Sequence, residues 1–297
     1  MSGQTVPVRV PHSVTPAFLP AAGFGWPTLP PARAGLMGVL NITPDSFSDG
    51  GHFIAPAVAL ERARIIIAQG ADILDIGGES TNHKASPISA EEEIARILPV
   101  LTALEGRLSV PLSIDTYKAA TARVAIRLGA RIVNDVWGLQ RDPAMADLVA
   151  EEAVGVCLMH NRLETDENVD IHADIARFFD RSLALADRAG IPAGAIVLDP
   201  GIGFGKTPNQ NLAILNRLDT LHQYRLPLLV GASRKRFVGA VTGRSDPLDR
   251  MAGSLASHLV AVEKGAAFVR AHDIAEHRDA LRMVAAIRGE RVPANEG

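Results

Sequence analysis

The chain has 297 residues, of which 47% are hydrophobic and 21% charged, and its formal net charge is -3. This balance is typical of a folded chain with a large buried core and argues against extensive disorder. Lysine and arginine form no long run, so the sequence predicts no nucleic-acid partner. No stretch approaches the ~20 apolar residues that span a bilayer, and the N-terminus lacks the layout of a secretory signal. We therefore expect a cytoplasmic protein without a membrane partner.

The domain organisation begins with a proline-rich segment. Residues 1–33 hold seven of the nineteen prolines and show neither a helical nor a strand period. We predict an irregular N-terminal extension over residues 1–33, one folded domain over residues 34–291 and a short C-terminal tail over residues 292–297. The single cysteine, Cys157, lies in an apolar run and is predicted to be core, because one thiol can build neither a disulfide framework nor a zinc cluster.

From Leu36 onward, short apolar runs rich in Val, Ile and Leu alternate with longer amphipathic stretches. This is the pattern of successive strand–helix units around a parallel sheet. Eight such units favour a closed (β/α)8 TIM barrel over an open sheet, because a closed barrel leaves no edge strand. The predicted strands are Leu36–Ile42, Asp72–Gly77, Pro111–Asp115, Arg131–Val136, Gly155–His160, Ala195–Asp199, Pro227–Gly231 and Ala267–Ala271.

Polar residues follow seven of these strands, at the end where the active sites of such barrels lie. A single aspartate after a strand is more often a turn former or a helix cap, but a ring of carboxylates, amides and cations is not easily explained in that way. Buried Asp and Asn side chains can exchange donor and acceptor pairs with a heteroaromatic ring. We predict that Asp115, Asn134 and Asp199 form such a ring-reading set.

A second group of residues carries cations at the ends of strands 7 and 8. Lys235, Arg270 and His272 are predicted to converge on phosphate oxygens, Arg270 through its fork and Lys235 as a point charge. Lys235 could instead be an exposed lysine in the first turn of a helix, although the positive end of the helix dipole disfavours a cation there. Together the two groups predict recognition of a heteroaromatic ring that carries an anion.

The glycine-rich segment after strand 6 invites a comparison with dinucleotide-binding loops. Gly201–Lys206 contains a Gly-x-Gly spacing but lacks the full dinucleotide pattern and its later acidic partner. We expect the glycines to let the backbone approach a flat ligand, with Phe204 as a stacking surface. The alternative is a flexible turn in which Phe204 belongs to the core.

Eight segments at the strand ends carry a family resemblance, in order, over about residues 36–288. They are Met37–Gly51, Asp75–Thr81, Ser113–Thr116, Ile132–Asp135, Cys157–His160, Leu198–Lys206, Gly231–Lys235 and Val269–Asp273. Together these segments resemble the dihydropteroate synthases. The resemblance implies an alkyl transferase of folate biosynthesis that joins (7,8-dihydropterin-6-yl)methyl diphosphate to p-aminobenzoate, releasing 7,8-dihydropteroate and pyrophosphate. It also implies Mg2+ as cofactor and, usually, a homodimer.

The resemblance also implies roles for individual residues. The pterin ring would be held by Asp115, Asn134, Asp199, Lys235 and Arg270. Asn41 would assist Mg2+ or pyrophosphate, His272 would bind the diphosphate, and Thr81 would lie in the second loop. The candidate catalytic residues are Asp115, Lys235, His272 and Asp45, and the further candidate substrate contacts are Ser233 and Phe204.

The implied mechanism resembles an SN1 reaction. Departure of pyrophosphate needs its growing negative charge neutralised by Mg2+, His272 and nearby cations. The pterin methyl cation that remains would be favoured by the buried carboxylates Asp115 and Asp199. Loop 1 (Thr43–Gly51) and loop 2 (Ser80–Pro87) would close over p-aminobenzoate and exclude water, which could otherwise capture the cation.

One segment departs from the family pattern. The family usually has Arg-Pro-Gly after Ser80-Thr81, whereas this chain has Asn82-His83-Lys84. Lys84 or His83 could replace the missing arginine, the activity could be weakened, or the change could be a tolerated loop variation. Because sulfonamides compete with p-aminobenzoate in the family, the change could also alter sulfonamide inhibition.

Two other functions compete with the synthase reading. A pterin-dependent methyltransferase would share the ring-reading aspartates and asparagine, but Ser233–Lys235 and Thr43–Phe47 argue against it. A catalytically impaired pterin-binding paralogue would explain the missing arginine, but such a binder would not need Lys235, Arg270 and His272 at the leaving-group end.

Overall fold

The computed structural model describes residues 18–21, 23–30, 33–42, 56–80 and 86–288. Its sheet contains eight parallel strands. They are β1 (Gly35–Asn41), β2 (Ile73–Gly77), β3 (Leu112–Asp115), β4 (Ala130–Asp135), β5 (Gly155–Met159), β6 (Ile196–Asp199), β7 (Leu229–Val230) and β8 (Phe268–Ala271). Each of the eight predicted strands is present, although β7 is shorter than expected.

Helices follow every strand in the described part of the chain. They are α1 (Pro56–Ala68), α2 (Ala90–Leu104), α3 (Ala119–Arg127), α4 (Met145–Glu151), α5 (Ile171–Ala189), α6 (Pro208–Asn216), α7 (Arg236–Thr242), α8 (Met251–Glu263) and α9 (Ile274–Ile287). The unit after β7 has two helices, the short α7 and then α8. Side by side, α8 and α9 cover the barrel behind the ends of β7 and β8.

The sheet closes on itself in the order β6-β5-β4-β3-β2-β1-β8-β7. A parallel bridge between Leu198 and Leu228 joins β6 to the segment before β7. Beside it, the amide of Leu198 donates to the carbonyl of Pro227 at 2.9 Å. Pro227 has no N–H to return this bond, which accounts for the short ladder at this seam. The (β/α)8 barrel predicted from the apolar runs is thus confirmed.

The base of the barrel is filled partly from the proline-rich N-terminal segment. Trp26 and Leu29 are buried against a cluster of inward-facing strand residues that includes Phe268 and Cys157. The indole Nε1 of Trp26 donates to the carbonyl of Ala195 at 2.9 Å, and its ring lies 5.3 Å from that of Phe268. Among the described residues, this plug fills the N-terminal end of the barrel, opposite the strand ends that carry the polar residues.

Two smaller expectations bear on function. Cys157 is fully buried, as predicted, and burial raises the pKa of its thiol, so it is no nucleophile at neutral pH. Within the described residues, no helix combines the length and apolar content that crossing a membrane requires.

Candidate active site

The strand register brings the predicted ring-reading residues to one level of the barrel mouth. Asp115 lies beside Gly77 on one side and beside Asn134 on the other, and Asp199 pairs with Met159. Inward and outward positions alternate along each strand, so the side chains of consecutive residues point to opposite faces of the sheet. Asn134 faces inward, whereas Asp135 accepts the amides of Trp137 and Leu139 and only caps the turn after β4.

Arg270 is the centre of this cluster. Its Nε donates to Asp75 Oδ2 and its Nη2 donates to Asp115 Oδ2, both at 2.7 Å. Asn134 Nδ2 donates to the same oxygen of Asp75 at 3.1 Å. The fork of Arg270 is therefore occupied by two carboxylates. Residue types alone predict that Arg270 binds phosphate oxygens, whereas in this structure its fork binds two carboxylates.

Asp75 is a site residue that sequence reasoning missed. It lies two positions before the end of β2, fully buried, and it binds both Arg270 and Asn134. Asp75 lies inside its strand, so a pattern of polar residues at strand ends does not include it. The available signal was a carboxylate inside the apolar run Ile73–Ile76, because a strand buried on both faces admits such a group only with a partner.

Several polar atoms inside the mouth have no partner. Asp75 Oδ1, Asn134 Oδ1 and Ser113 Oγ are buried without a hydrogen bond in the described structure. Ser113 pairs with Asp75 in the strand register, so the three atoms belong to neighbouring strands. Unpaired buried acceptors are costly in a folded protein and mark places where a ligand or water binds. Here they lie beside Asp115, where the sequence predicts ring recognition.

The carboxylates of the cluster are held in an apolar surrounding. Burial raises the pKa of Asp115 to about 7, although Arg270 opposes the effect. Burial also raises the pKa of Asp199 to about 6. Asp199 Oδ1 accepts the amide of Gly201 at 2.7 Å, which fixes the carboxylate at the mouth of β6. Both carboxylates would gain from a positively charged ligand, since a cation favours their ionised form.

Lys235 reaches into the same mouth. Its ammonium nitrogen lies 4.0 Å from the centroid of the Phe204 ring, and its stem passes so near Gly203 that a Cβ there would lie 2.9 Å from Lys235 Cδ. Burial lowers the pKa of Lys235 to about 8. The alternative of an exposed surface lysine is therefore wrong. Phe204 is buried among Val136 and Met159 and supports Lys235 through a cation–π contact.

The segment Gly201–Lys206 is built for close approach to neighbouring chain segments. Gly201 has a φ of 68°, and a Cβ there would lie 1.8 Å from the carbonyl oxygen of His160. Lys206 Nζ donates to the carbonyls of Gly201 at 2.7 Å and Phe204 at 2.9 Å, which clamps the turn. The glycines thus serve the packing of this loop, and Lys206 was overlooked because a lysine after a glycine-rich turn is usually solvent-exposed.

The inner end of the site has more acidic than basic side chains. We define the inner end as Asp75, Asp115, Asn134, Asp199, Lys235 and Arg270. With all its ionisable groups charged, three carboxylates stand against two cations, which leaves one net negative charge. A buried net charge needs a counter-charge. The inner end is therefore suited to a ligand that is, or becomes, positively charged.

The outer end of the site consists of Ser233, Arg234, His272 and Asp273, beyond the ends of β7 and β8. Ser233 Oγ accepts the amide of His272 at 3.2 Å and lies 3.0 Å from His272 Nδ1. Arg234 binds Asp273 through both Nε and Nη2. Since Ser233 Oγ already accepts one proton, the arrangement favours donation of its own proton to Nδ1, which leaves the ring proton of His272 on Nε2.

His272 is neutral in this surrounding. Burial, together with the nearby Arg270 and Arg234, lowers its pKa to about 3. The expectation that His272 supplies positive charge to a diphosphate is therefore revised. The neutral ring can offer a hydrogen bond from Nε2 instead.

The root of loop 2 is tied to the barrel by a charged network that sequence reasoning did not single out. Lys118 forms ion pairs with Glu79 and with Glu93, the latter at 3.0 Å. Glu93 is buried on α2 and also accepts hydrogen bonds from Thr116 and Thr121. Glu79 is only two residues before the predicted site residue Thr81, so this network fixes where loop 2 leaves β2.

Three predicted site residues need separate mention. Asn41 ends β1 level with Gly77, and its side-chain amide has no hydrogen-bond partner among the described residues. Asp45 and Thr81 lie outside the described residues, as do Asn82-His83-Lys84. Within the described ranges no three His, Cys, Asp or Glu side chains are grouped to hold a metal ion.

Known proteins resemble the chain over most of its length. Residues 37–272 match the family of pterin binding enzymes. A dihydropteroate synthase from Bacillus subtilis is 43% identical over 252 residues, which is 85% of this chain and 88% of that protein. Relatives of this kind do not favour a methyltransferase or an impaired paralogue, the two competing readings.

Solved structures agree with this result. A dihydropteroate synthase from Clostridium difficile, in the presence of pteroic acid, has a TM-score of 0.82 and 44% identity, covering 86% of this chain and 97% of that one. The Xanthomonas albilineans enzyme with 4-aminobenzoic acid has a TM-score of 0.83 and 40% identity, covering 87% and 94%. The chain therefore belongs to the dihydropteroate synthase family.

Proposed function

We propose that the inner end is the device by which this chain condenses (7,8-dihydropterin-6-yl)methyl diphosphate with p-aminobenzoate in folate biosynthesis. The observation that carries the proposal is the group of three buried carboxylates, Asp75, Asp115 and Asp199, around Arg270, with unpartnered oxygens on Asp75 and Asn134. A pterin ring supplies the donors those oxygens lack. Its methyl group becomes cationic as pyrophosphate leaves, and a net negative site stabilises that state more than the neutral ground state.

Ring recognition would divide among the inner-end residues according to their hydrogen-bonding chemistry. Asp199 Oδ2 has no partner among the described residues, so it can accept from the ring amino or amide groups. Asn134 can accept through its unpartnered Oδ1. Lys235 would donate to a ring acceptor, since the Phe204 ring holds its ammonium group at the mouth.

Arg270 would act by organising the carboxylates. Because it donates to Asp75 and Asp115 together, it keeps two like charges close without cancelling both. Asp115 is then available, at the end of β3, to favour the cation electrostatically. No protein nucleophile is required, since p-aminobenzoate attacks the cation through its amine.

The outer end would receive the diphosphate. Ser233 sets the ring of His272 so that Nε2–H is the available donor, and a neutral donor can strengthen its bond as charge grows on the departing oxygen. Arg234 is already paired with Asp273, so we assign it to positioning.

Magnesium fits the chemistry of Asn41, because Mg2+ prefers oxygen ligands and usually keeps several waters while bound to phosphates. Asn41 would give one amide oxygen, which no described residue engages, and the diphosphate would supply others. When bound, Mg2+ neutralises charge on the leaving group. Asp45, in loop 1, is a further candidate in the catalytic set, and Thr81 in loop 2 a candidate contact to substrate.

The partners proposed are the two small-molecule substrates and a second copy of the chain. Exposed apolar side chains on α8 and α9, Val260, Met283 and Ile287, support a homodimer through this face. Sedimentation at micromolar concentration would test it, and a monomer throughout would refute it. A cytoplasmic location remains a prediction from the sequence.

The activity is tested by pyrophosphate release from the purified chain with pterin diphosphate and Mg2+, with and without p-aminobenzoate, together with formation of dihydropteroate. Release coupled to product supports the proposal. Binding of the pterin diphosphate without turnover would refute it and would direct attention to Asn82-His83-Lys84. Restoring arginine and proline by Asn82→Arg and His83→Pro, with sulfonamide inhibition measured in parallel, then tests whether loop 2 controls activity or drug binding.

A further inference from the structure

Two buried histidines lie behind the outer end, on helices rather than at strand ends. His258 is on α8 and His277 is on α9, and neither ring is accessible to solvent. Their ring centroids are 4.9 Å apart. Neither residue contacts the inner end, and neither was singled out by sequence reasoning. Buried histidines are uncommon enough to require an account of their hydrogen bonds.

The hydrogen bonds of this pair favour one arrangement of the ring protons. The amide of Ala232 donates to His258 Nε2 at 2.8 Å, so that nitrogen carries no proton. His258 must then donate from Nδ1 to His277 Nε2, which is 2.8 Å away. His277 in turn donates from Nδ1 to the carbonyl of Asp273 at 2.6 Å. The result is one directional relay of three hydrogen bonds, from the loop after β7 to the loop after β8.

The two ends of the relay bracket the outer end of the site. Ala232 is the residue before Ser233, and Asp273 is the residue after His272. The relay therefore runs parallel to the direct contact between Ser233 Oγ and His272 Nδ1. Any change in the relay's length would alter the spacing of these two loops, and with it the orientation of the His272 ring.

α8 secures the same loop at a second point. Ser254, one turn before His258, accepts the amide of Arg234 at 2.8 Å. Arg234 has a φ of 58°, a left-handed conformation that a residue with a side chain rarely adopts. Arg250 Nη1 donates to the Arg234 carbonyl at 3.0 Å. The loop after β7 is thus held in a strained shape by polar contacts from α8 and from Arg250, the residue just before this helix, which is the situation of a site being positioned.

The relay of His258 and His277 holds the loops after β7 and β8 without adding charge. Burial lowers the pKa of His258 and of His277, so both rings are neutral at physiological pH. Fully satisfied neutral networks rigidify a buried region at no electrostatic penalty to a neighbouring anion site.

We propose that His258 and His277 are positioning residues that hold the Ser233–His272 pair in the geometry that receives the diphosphate. The inference rests on the proposed function, which assigns the outer end to the leaving group. It predicts that the pair governs binding of the diphosphate and leaves recognition of the pterin ring untouched.

The test measures two affinities on folded variants, that of inorganic pyrophosphate with Mg2+ and that of a pterin without a diphosphate. His258→Leu removes both contacts of the ring, and we expect pyrophosphate affinity to fall about tenfold while the pterin affinity stays within about twofold. His258→Gln can still accept the Ala232 amide and should recover most of the loss. Should His258→Leu fail to fold, His277→Gln keeps the acceptor for His258, loses the donor to Asp273, and should show the same selective loss.

His222→Leu is the matched control. His222 also bonds a carbonyl, that of Lys264 at 2.8 Å, but at the opposite end of the barrel, so neither affinity should change. Unchanged pyrophosphate affinity in the His258 and His277 variants would overturn the proposal, and so would an equal loss of both affinities without recovery in His258→Gln. Failure of the wild-type chain to bind pyrophosphate would refute the assignment of the outer end itself, a result distinct from either of these.

Discussion

The inner and outer ends of the barrel mouth are stabilised by different kinds of contact. At the inner end, charged side chains hold one another, as Arg270 holds Asp75 and Asp115. At the outer end, apart from the ion pair of Arg234 with Asp273, the loops that carry Ser233 and His272 are held by neutral contacts from α8 and α9 that never enter the site. The difference implies that recognition and stability are coupled at the inner end, because removal of one charge leaves another unpaired. At the outer end they are separable.

The largest effects on stability and turnover are expected for Arg270→Met, at the inner end. Loss of the guanidinium leaves Asp75 and Asp115 facing each other without a cation, so we expect a fall of about 3–5 kcal/mol in the free energy of unfolding and a loss of turnover of about 1,000-fold. Urea unfolding and steady-state assays measure the two effects. Arg278→Met is the control, because Arg278 is more deeply buried than Arg270 and binds Asp72 at the other end of the barrel. It should lose stability without a comparable loss of turnover in the folded protein.

A substitution at the outer end should have a smaller effect on stability and function than Arg270→Met. Ser233→Ala removes the contact that sets the His272 ring, and we expect about five- to tenfold weaker pyrophosphate binding with little change in thermal stability, because no charge is left unpaired. Calorimetric titration with pyrophosphate and a thermal melt give both values. Ser257→Ala, whose hydroxyl bonds only to Gly253 in its own helix, should change neither quantity. A stability loss in Ser233→Ala as large as that in Arg270→Met would contradict the distinction between the two ends.

The pH dependence should reflect the inner end alone. Asp115 and Asp199 must be ionised to accept from the ring, and their pKa values are raised to about 7 and about 6, so kcat/KM should rise with pH through this range. It should fall again above about pH 8, where Lys235 loses its proton. His272 adds no limb, since its pKa lies at about 3. A flat profile from pH about 6 to about 9 would show that these groups do not act as assigned.

The smallest effect is expected at Phe204. Phe204→Leu removes the cation–π contact to Lys235, whose worth is about 0.5–1 kcal/mol. We expect a two- to fivefold higher KM for the pterin diphosphate, with kcat nearly unchanged, from initial-rate kinetics. Phe179→Leu, a fully buried aromatic change on α5, provides the comparison and should lower stability while leaving KM alone. An unchanged KM in Phe204→Leu would remove Phe204 from the site.

Sequence reasoning succeeded where a local pattern carries the physics. Parallel strands buried on both faces appear as continuous apolar runs, so the eight strands and the closed barrel could be predicted. Polar residues at strand ends are few enough to stand out, so Asp115, Asn134 and Asp199 could be predicted as one group. Confinement of β7 to Leu229–Val230 was not foreseen, because it depends on how β6 and β7 meet at the closing seam.

The residues that were missed take their roles from three-dimensional packing. Asp75 lies inside a strand, and only the register reveals that it meets Arg270 and Asn134. His258 and His277 are nineteen residues apart on separate helices, and only the packing of α8 on α9 joins their rings. The neutrality of His272 likewise depends on its burial near Arg270, a surrounding that no local sequence pattern reports.

The most direct test of the account is the kinetic split in Asp115→Asn, since the central claim is that the inner end stabilises the cation formed when pyrophosphate leaves. The amide keeps the size of the side chain and removes its negative charge. We predict that kcat falls about 100-fold while KM for the pterin diphosphate changes less than about threefold. Stability should fall less than in Arg270→Met, because Arg270 loses the charge of Asp115 but keeps its ion pair with Asp75. A raised KM with an unchanged kcat would contradict the claim, because Asp115 would then bind the ring equally in the ground and transition states.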